Sequence, residues 1–393
     1  MSACTKTIRD FGVQPDNSPS KNRALLQEAL DWAGACGGGV FVNPSDEPYP
    51  VEGGLVLRRN ASLIGIHGPV GRGTAHPRKR QPVGSVFRIE DSDRPFLTVE
   101  AATQVRGLQF WYPNQPVDAP ANIVEYPPTI QGARDTSPQG VTLSCLTFYG
   151  EYFAMDFTAT PDNICELVLC EHCYGYPLSG RFIHIDYCYD IPRVLHCHVN
   201  PANRRFIEGQ YSPCVIDHVI SQKTFAYTID HIDNAQLMDL FTFGTYGGAH
   251  LGPYTYGQLT NFNFDCVTIG ILKQGEGPFN RNWQIAQGSI IANTGQRVED
   301  IHPIIIEGQG HTAITNVEAF SGKNAALAAV GCSNDFLLVR GDRRVTVSLT
   351  NCRMRNYAAE NPITNHNPHA CIQTYGCIDA AEHPFPPGVV PTS

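Results

Sequence analysis

The chain has no apolar run approaching the roughly 20 residues that a bilayer-spanning helix requires, so no helical membrane anchor is expected. Its opening residues, MSACTKTIRD, lack the apolar core of a secretory leader, and with Met1 taken as the natural start the expected location is cytoplasmic. Basic residues are few, 28 Lys and Arg against 37 Asp and Glu, for a net charge of −9. That sign disfavours a phosphate backbone as partner, so neither nucleic acid nor membrane is expected to bind. The one basic cluster, Arg78, Lys79 and Arg80, sits in a Gly/Pro-rich stretch and reads as a solvated loop.

What is abundant points to turns and strands. Glycine (36) and proline (29) are plentiful and methionine (4) is not, the composition of a turn-rich β protein. The 14 cysteines fall within strand-like runs, which predicts reduced, buried thiols rather than a disulfide framework. Cys170-Glu171-His172-Cys173, with Cys188, His196, Cys197 and His198 beyond, imitates a zinc site. In a coiled repeat such spacings put side chains on different faces, so no metal is expected there.

Residues 8–68 carry the clearest local signals. One helix is predicted, capped by Ser20, with Leu25, Leu26, Ala29, Leu30 and Ala33 as its apolar stripe and Gly34, Gly37, Gly38 and Gly39 ending it. The period then changes to two, in GVFVNP, GLVLRR and ASLIGI, short strands divided by Gly, Pro and Asn.

This order resembles the N-terminal signature of right-handed parallel β-helix proteins of the pectate-lyase-like group, which includes relatives of glycoside hydrolase family 28. There the helix plugs the open end of the solenoid, shielding backbone edges and an apolar cross-section from water. GLQFWYPNQ at 107–115 and YPPTI at 126–130 extend the likeness. The resemblance implies an all-β, single-stranded right-handed parallel β-helix with an N-terminal capping α-helix. It is expected as one domain over 1–393: cap helix and first coils to 70, coils with long loops over 71–360, and a tail or C-terminal cap over 361–393. The chemistry of family 28 is not carried over. Its Asn-Thr-Asp, Asp-Asp, Gly-His-Gly and Arg-x-Lys elements have no match, since Asn293-Thr294-Gly295 ends in glycine, no Asp-Asp occurs, and the nearest histidine motif is Gly308-Gln309-Gly310-His311.

A repeat supports the solenoid independently. VLHCHV, VIDHVI, LMDLFT and LTNFNF begin at Val194, Val215, Leu237 and Leu259, a spacing in the low twenties that matches one coil. Their third positions, His196, Asp217, Asp239 and Asn261, with Asn316 later, form an expected corner stack bonded to turn backbone. A second stack, Asp186, Glu208 and Asp230, recurs with the same period. Alternation sets Ile185, Ile207 and Ile229 inward and those acids outward. Carboxylates spaced about 4.8 Å apart repel one another, and such crowding raises at least one pKa, as a general acid requires.

The expected chemistry is glycoside hydrolysis by a carboxyl pair, about 5 Å apart for retention or about 6.5–9.5 Å for inversion. Glu208 with Asp230 is the first candidate pair, Asp186 the third member, and Asp265 with Glu276 a second pair; Asp233 beside His231 is a further proton carrier. Salt bridges to Arg181, Arg204 or Arg205 are the structural alternative for the acid stack. Substrate contacts are expected from Trp111, Arg204, Arg205, His231, His250, Tyr254, Tyr256, Arg281 and Trp283, because aromatic faces stack on sugar rings and polar forks hold hydroxyls. GTYGGAHLGPYTYGQ, 244–258, reads as a long loop leaving the coil. The expected partner is an oligo- or polysaccharide, a homo-oligomer (trimer or dimer) is admitted, and no cofactor is expected. Two rivals remain: a uronate-directed polysaccharide lyase, for which Ca2+ would be admitted, and a non-catalytic glycan-binding β-helix of the tailspike kind.

Overall fold

A computed structural model of the chain describes residues 5–67, 81–91, 93–201, 211–276, 282–292, 301–320, 335–355 and 362–386. Glu208, Arg204, Arg205 and Arg281, and the basic cluster at 78–80, lie outside the described residues. The fold is the expected parallel β-helix. By its internal contacts the chain divides into two compact units, Met1–Val219 and Ile220–Ser393.

In unit 1 the helix α1, Pro19–Cys36, buries Leu26, Ala29, Leu30 and Ala33, which are four of the five predicted stripe residues. Its cap is Ser18 rather than Ser20: Pro19 takes the first helical position, where no N–H is needed, and the Ser18 hydroxyl accepts from the Lys21 N–H at 3.3 Å. Gly34 does not end the helix. A Cβ there would lie 2.4 Å from Arg58 Cβ, so it marks the close approach of helix to coil, while Gly37 with φ 62° makes the stop.

Three parallel walls follow. Wall A of unit 1 stacks Leu55–Leu57, Leu97–Val99, Ile130–Gly132, Phe153–Thr158 and Arg181–Tyr189. Wall B runs from Gly39–Phe41 through Ser62–Ile64 to Arg193–Leu195, and wall C from Tyr49–Pro50 through Gln109–Trp111 to His198–Val199. The interior repeats one ring per coil: Phe110 stacks on Phe148 at 5.1 Å, and Phe148 meets Phe182 edge-on at 5.9 Å.

Unit 2 is likewise built of three parallel walls, lettered in the same way. Wall A is built from 225–229, Gly247–Leu251, Ile269–Lys273, His302–Glu307, Leu337–Arg340 and Ile363–Asn365. Wall B holds 235–238, 257–260, 283–286, 312–315, Val345–Thr350 and Ala370–Tyr375. Wall C holds Phe241–Phe243, 263–265, 288–291, 317–320 and Arg353–Arg355. Leu237 pairs with Leu259 on the next coil, as the repeat predicted.

Two expectations fail here. VIDHVI is not a coil: it lies in the helix α2, Pro213–Ser221, whose Val215 and Val219 pack on Trp111, Tyr149 and Tyr176 within unit 1. Nor is 244–258 a loop, since Gly247–Leu251 is wall A and Thr255–Val267 begins wall B. Its glycines serve packing rather than mobility: a Cβ on Gly247 would lie 2.1 Å from the Phe225 ring, and one on Gly248 would lie 2.5 Å from the Phe264 ring.

The corner stack has a backbone cause. His196, Asp239, Asn261, Asn316 and Asn351 all turn the corner at φ between 52° and 55°, the left-handed region that Asn and Asp tolerate best. The Asn261 amide also donates to Asp239 at 3.4 Å. Asp217, in α2, is not a member.

Candidate functional site

In unit 2, wall A turns into wall B along an edge where seven of the predicted residues meet. One step beyond the pairs Ile229–Leu251–Lys273–Ile306, successive coils present Asp230, Gly252, Gln274 and Glu307, with Arg340 paired to Glu307. Gly252 leaves room that the neighbouring carboxylate uses: a Cβ there would fall 2.1 Å from Asp230 Oδ1. His250, two residues earlier on the same strand, reaches Gln274, its Nε2 3.0 Å from the amide oxygen. That oxygen can only accept, so Nε2 carries the proton. The Gln274 amide then donates to Glu307 Oε2 at 2.9 Å, and Arg340 Nε pairs with Oε1 of the same carboxylate. Gln274, Glu307 and Arg340 were missed by the sequence reading, because nothing in their spacing identifies them until the ladder register is known.

Immediately beside this column runs a second. The His231 ring stacks on Tyr254 at 4.6 Å and 16°, and the Tyr254 hydroxyl donates to Glu276 Oε2 at 3.2 Å. The Glu276 N–H bonds Pro253 O at 2.8 Å, which fixes that acid one coil above Tyr254. Tyr256 donates to Asp233 in the same manner, one coil apart. Glu276 is exposed, while Asp230, Asp233, His231, His250, Tyr254 and Tyr256 are half-buried. The edge therefore combines carboxylates, imidazoles and phenols on consecutive rungs, able to hold a chain of hydroxylated rings.

Beneath the edge lies Lys273, fully buried, its ammonium donating to Gln309 O at 2.7 Å. Burial pulls its pKa down to about 8.

Several predicted residues stand elsewhere. Asp265 and Glu276 do not form a pair. Asp265 ends a wall C strand beside Phe243, and the strand Ile269–Lys273, roughly 16 Å of extended chain, separates its corner from that of Glu276. Burial raises the Asp265 pKa, but among the described residues no second acid is joined to it. Trp283 is 1% exposed, inside the coil, its indole N–H donating to Thr255 Oγ1 at 3.1 Å. Trp111, 7% exposed, lies under α2. Neither tryptophan offers a face to a substrate. Asp186 belongs to unit 1, at the wall A strand Arg181–Tyr189, where its Oδ1 accepts the Tyr187 N–H at 2.8 Å; Glu208 lies outside the described residues. Arg181 extends over the Phe153 ring at 6.0 Å. The zinc-like motif splits across the wall: Cys170, Cys173 and Cys197 are buried, with burial raising the pKa of Cys170 and Cys173, while His172 and His196 stack outside at 4.6 Å.

No family model matches the sequence, and no curated protein matches it. Solved structures do. The chain is similar to the tailspike protein of E. coli bacteriophage HK620, a mutant in complex with a hexasaccharide, at 12% identity and a TM-score of 0.57, over 97% of this chain and 67% of that one. A second mutant of the same tailspike, in complex with a pentasaccharide, gives 12% identity and a TM-score of 0.54 over 96% and 67%. An exopolygalacturonase from Thermotoga maritima matches at 11% identity over 99% and 94%, with a TM-score of 0.49. At these identities the tailspike likeness establishes a common β-helix fold.

Proposed function

We propose that this chain binds an oligo- or polysaccharide along the wall A to wall B edge of unit 2 and hydrolyses it, with Asp230 and Glu276 as the carboxyl pair. The observation that carries the reading is the joint presence, on successive rungs of one edge, of two carboxylates, the His231–Tyr254 ring stack and the His250–Gln274–Glu307–Arg340 chain. Asp230 and Glu276 belong to coils two rungs apart, about 9.6 Å by the strand spacing alone, and Glu276 lies two residues beyond Gln274, which shares the Asp230 register, so the two side chains must reach toward one another to flank a glycosidic bond. Sugar-complexed tailspikes of the same fold support a glycan as the ligand class. A lyase reading gains nothing further, because its expected bases, Arg204 and Arg205, lie outside the described residues.

The test is turnover of a glycan panel read as new reducing ends, with absorbance near 235 nm monitored for unsaturated products. Asp230→Asn and Glu276→Gln should each lower turnover by about 10²–10⁴-fold while the circular dichroism spectrum is kept. Full activity in both variants eliminates the pair, and tight binding without turnover in the wild type favours a non-catalytic glycan-binding protein.

A further inference from the structure

Unit 1 holds a cavity of about 640 Å³ at its N-terminal end, a volume in the usual range for small-molecule sites. On one side is the chain just before α1, which gives Arg9 and Pro15. On the other is the chain leaving two successive rungs of wall B, which gives Pro44 and Asp46 from one and Ile66 and His67 from the next. A short antiparallel bridge between Ser45 and Gly84, with N–H to O distances of 3.0 and 2.8 Å, braces the lining.

His67 is held in one tautomer. Its Nε2 accepts the Ser85 N–H at 3.1 Å and lies 2.8 Å from Gln109 Nε2. That amide nitrogen also donates to Val83 O at 2.8 Å, and Gln109 Oε1 accepts the Tyr149 hydroxyl at 3.0 Å, so Gln109 presents a donor to the ring. A Cβ on Gly84 would fall 2.1 Å from His67 Nε2, so the glycine admits the imidazole. With Nε2 accepting, the neutral ring carries its proton on Nδ1, and burial lowers the His67 pKa, which keeps the ring neutral near pH 7. Among the described residues Nδ1–H has no partner, which makes it a fixed donor on the cavity wall.

The charges of the lining select the ligand. Arg9 and Asp46 are exposed, and among the described residues neither has an ion-pair partner. An anion would meet Asp46 and Glu47, and a cation would meet Arg9. Neutral hydroxyls suit both, because each can accept from Arg9 or His67 and donate to Asp46. Ile66, 55% exposed, adds with Pro15 and Pro44 an apolar surface on which the C–H face of a ring can lie.

We propose that this cavity binds a neutral sugar, with His67 Nδ1–H donating to one hydroxyl, Arg9 and Asp46 meeting others, and Ile66 packing on the C–H face of the ring. Gln109 and Ser85 are the positioning residues that aim the imidazole. The site belongs wholly to unit 1, and its ligand class follows from its own lining rather than from the reading of the unit 2 edge.

The experiment is long-range 15N–1H NMR of the full chain, read on the carbon-bound ring protons of His67. Glucose, galactose and mannose are titrated in, each beside its uronate and its 2-amino counterpart. The free protein should show His67 protonated on Nδ1, and at least one neutral hexose should shift the ring signals with an affinity about tenfold or more above that of its charged counterparts. His67→Gln keeps an oxygen that can accept from Ser85 and Gln109 but loses the Nδ1 donor, and Ile66→Ser changes an exposed side chain. Each should weaken that hexose about fivefold or more by calorimetry, with the unfolding midpoint kept. A ring protonated on Nε2, no shift with any of the neutral hexoses, tighter binding of a charged counterpart, or unchanged affinity in either variant overturns the proposal. Tyr254→Ala, which alters the unit 2 edge, should leave the His67 response as it is, so failure here and failure of the unit 2 hydrolysis assay are separate results.

Discussion

Two ladders of stacked rings, one in each unit, have opposite fates. In unit 1 Tyr149 and Tyr176 stack at 5.7 Å and 16° on the outside of wall C, next to Trp111, and Val215 and Val219 of α2 cover them. In unit 2 His231 and Tyr254 stack at 4.6 Å, also at 16°, and the phenol reaches an exposed carboxylate, Glu276. The interplanar angle is the same. What differs is the cover: an apolar helix makes the first ladder part of a core, with the Tyr149 pKa raised by burial, whereas the second stays half-buried beside acids. A row of aromatics on a solenoid wall thus becomes a packing layer when an apolar helix is laid over it, and the half-buried unit 2 row is the one we propose as a ligand platform.

The sharpest way to break this contrast is to truncate both ladders. Tyr149→Ala removes a buried ring and should cost about 3–5 kcal/mol of stability by thermal or urea unfolding. Tyr254→Ala should change stability by under about 1 kcal/mol while abolishing glycan retention on an affinity column. A Tyr254→Ala loss as large as that of Tyr149→Ala would make the unit 2 ladder a core element and sink its role as a platform.

A smaller effect separates the edge from the interior beneath it. Burial lowers Lys273 from its ordinary value to about 8, so between about pH 8 and about pH 10.5 the unfolded chain holds a proton that the folded chain has lost. Its contribution therefore makes stability rise with pH across that window, by up to about 3 kcal/mol, and leaves it flat below pH 8, where both states are protonated. Comparing urea midpoints of the wild type and Lys273→Met from pH 7 to 10.5 isolates this slope from other groups. Parallel curves would show that the ammonium is not buried as described.

Gly252→Ala acts on the edge alone. The added methyl would meet the Asp230 carboxylate and displace it, so turnover should fall by about tenfold or more with a stability change of about 1 kcal/mol. Unchanged turnover would argue that Asp230 does not work from that position. Tyr254→Phe, which removes only the hydroxyl donated to the exposed Glu276, should alter stability least, by under about 0.5 kcal/mol, and is read by the same unfolding assay.

The amino-acid sequence by itself determined the capping helix, through its apolar stripe and glycine stop; the alternating coils, through period two; and the corner positions, because Asp239, Asn261 and Asn316 tolerate the left-handed backbone the turn demands. The coil period also marked Asp230, while His231, Asp233, His250, Tyr254, Tyr256 and Glu276 were named by residue type, three of them from a stretch misread as a loop, and Glu307 was missed. Tertiary structure alone decided the remainder. Whether glycines 247 and 248 mean a loop or room for Phe225 and Phe264, whether Trp111 and Trp283 face water, whether Asp265 can meet Glu276, and which residues connect His250 to Arg340 or His67 to Tyr149 all depend on neighbours one coil away. Coil lengths vary once helices and loops are inserted, so a linear pattern fixes which face a side chain takes within its strand, while the rung above or below it is set only when the walls stack.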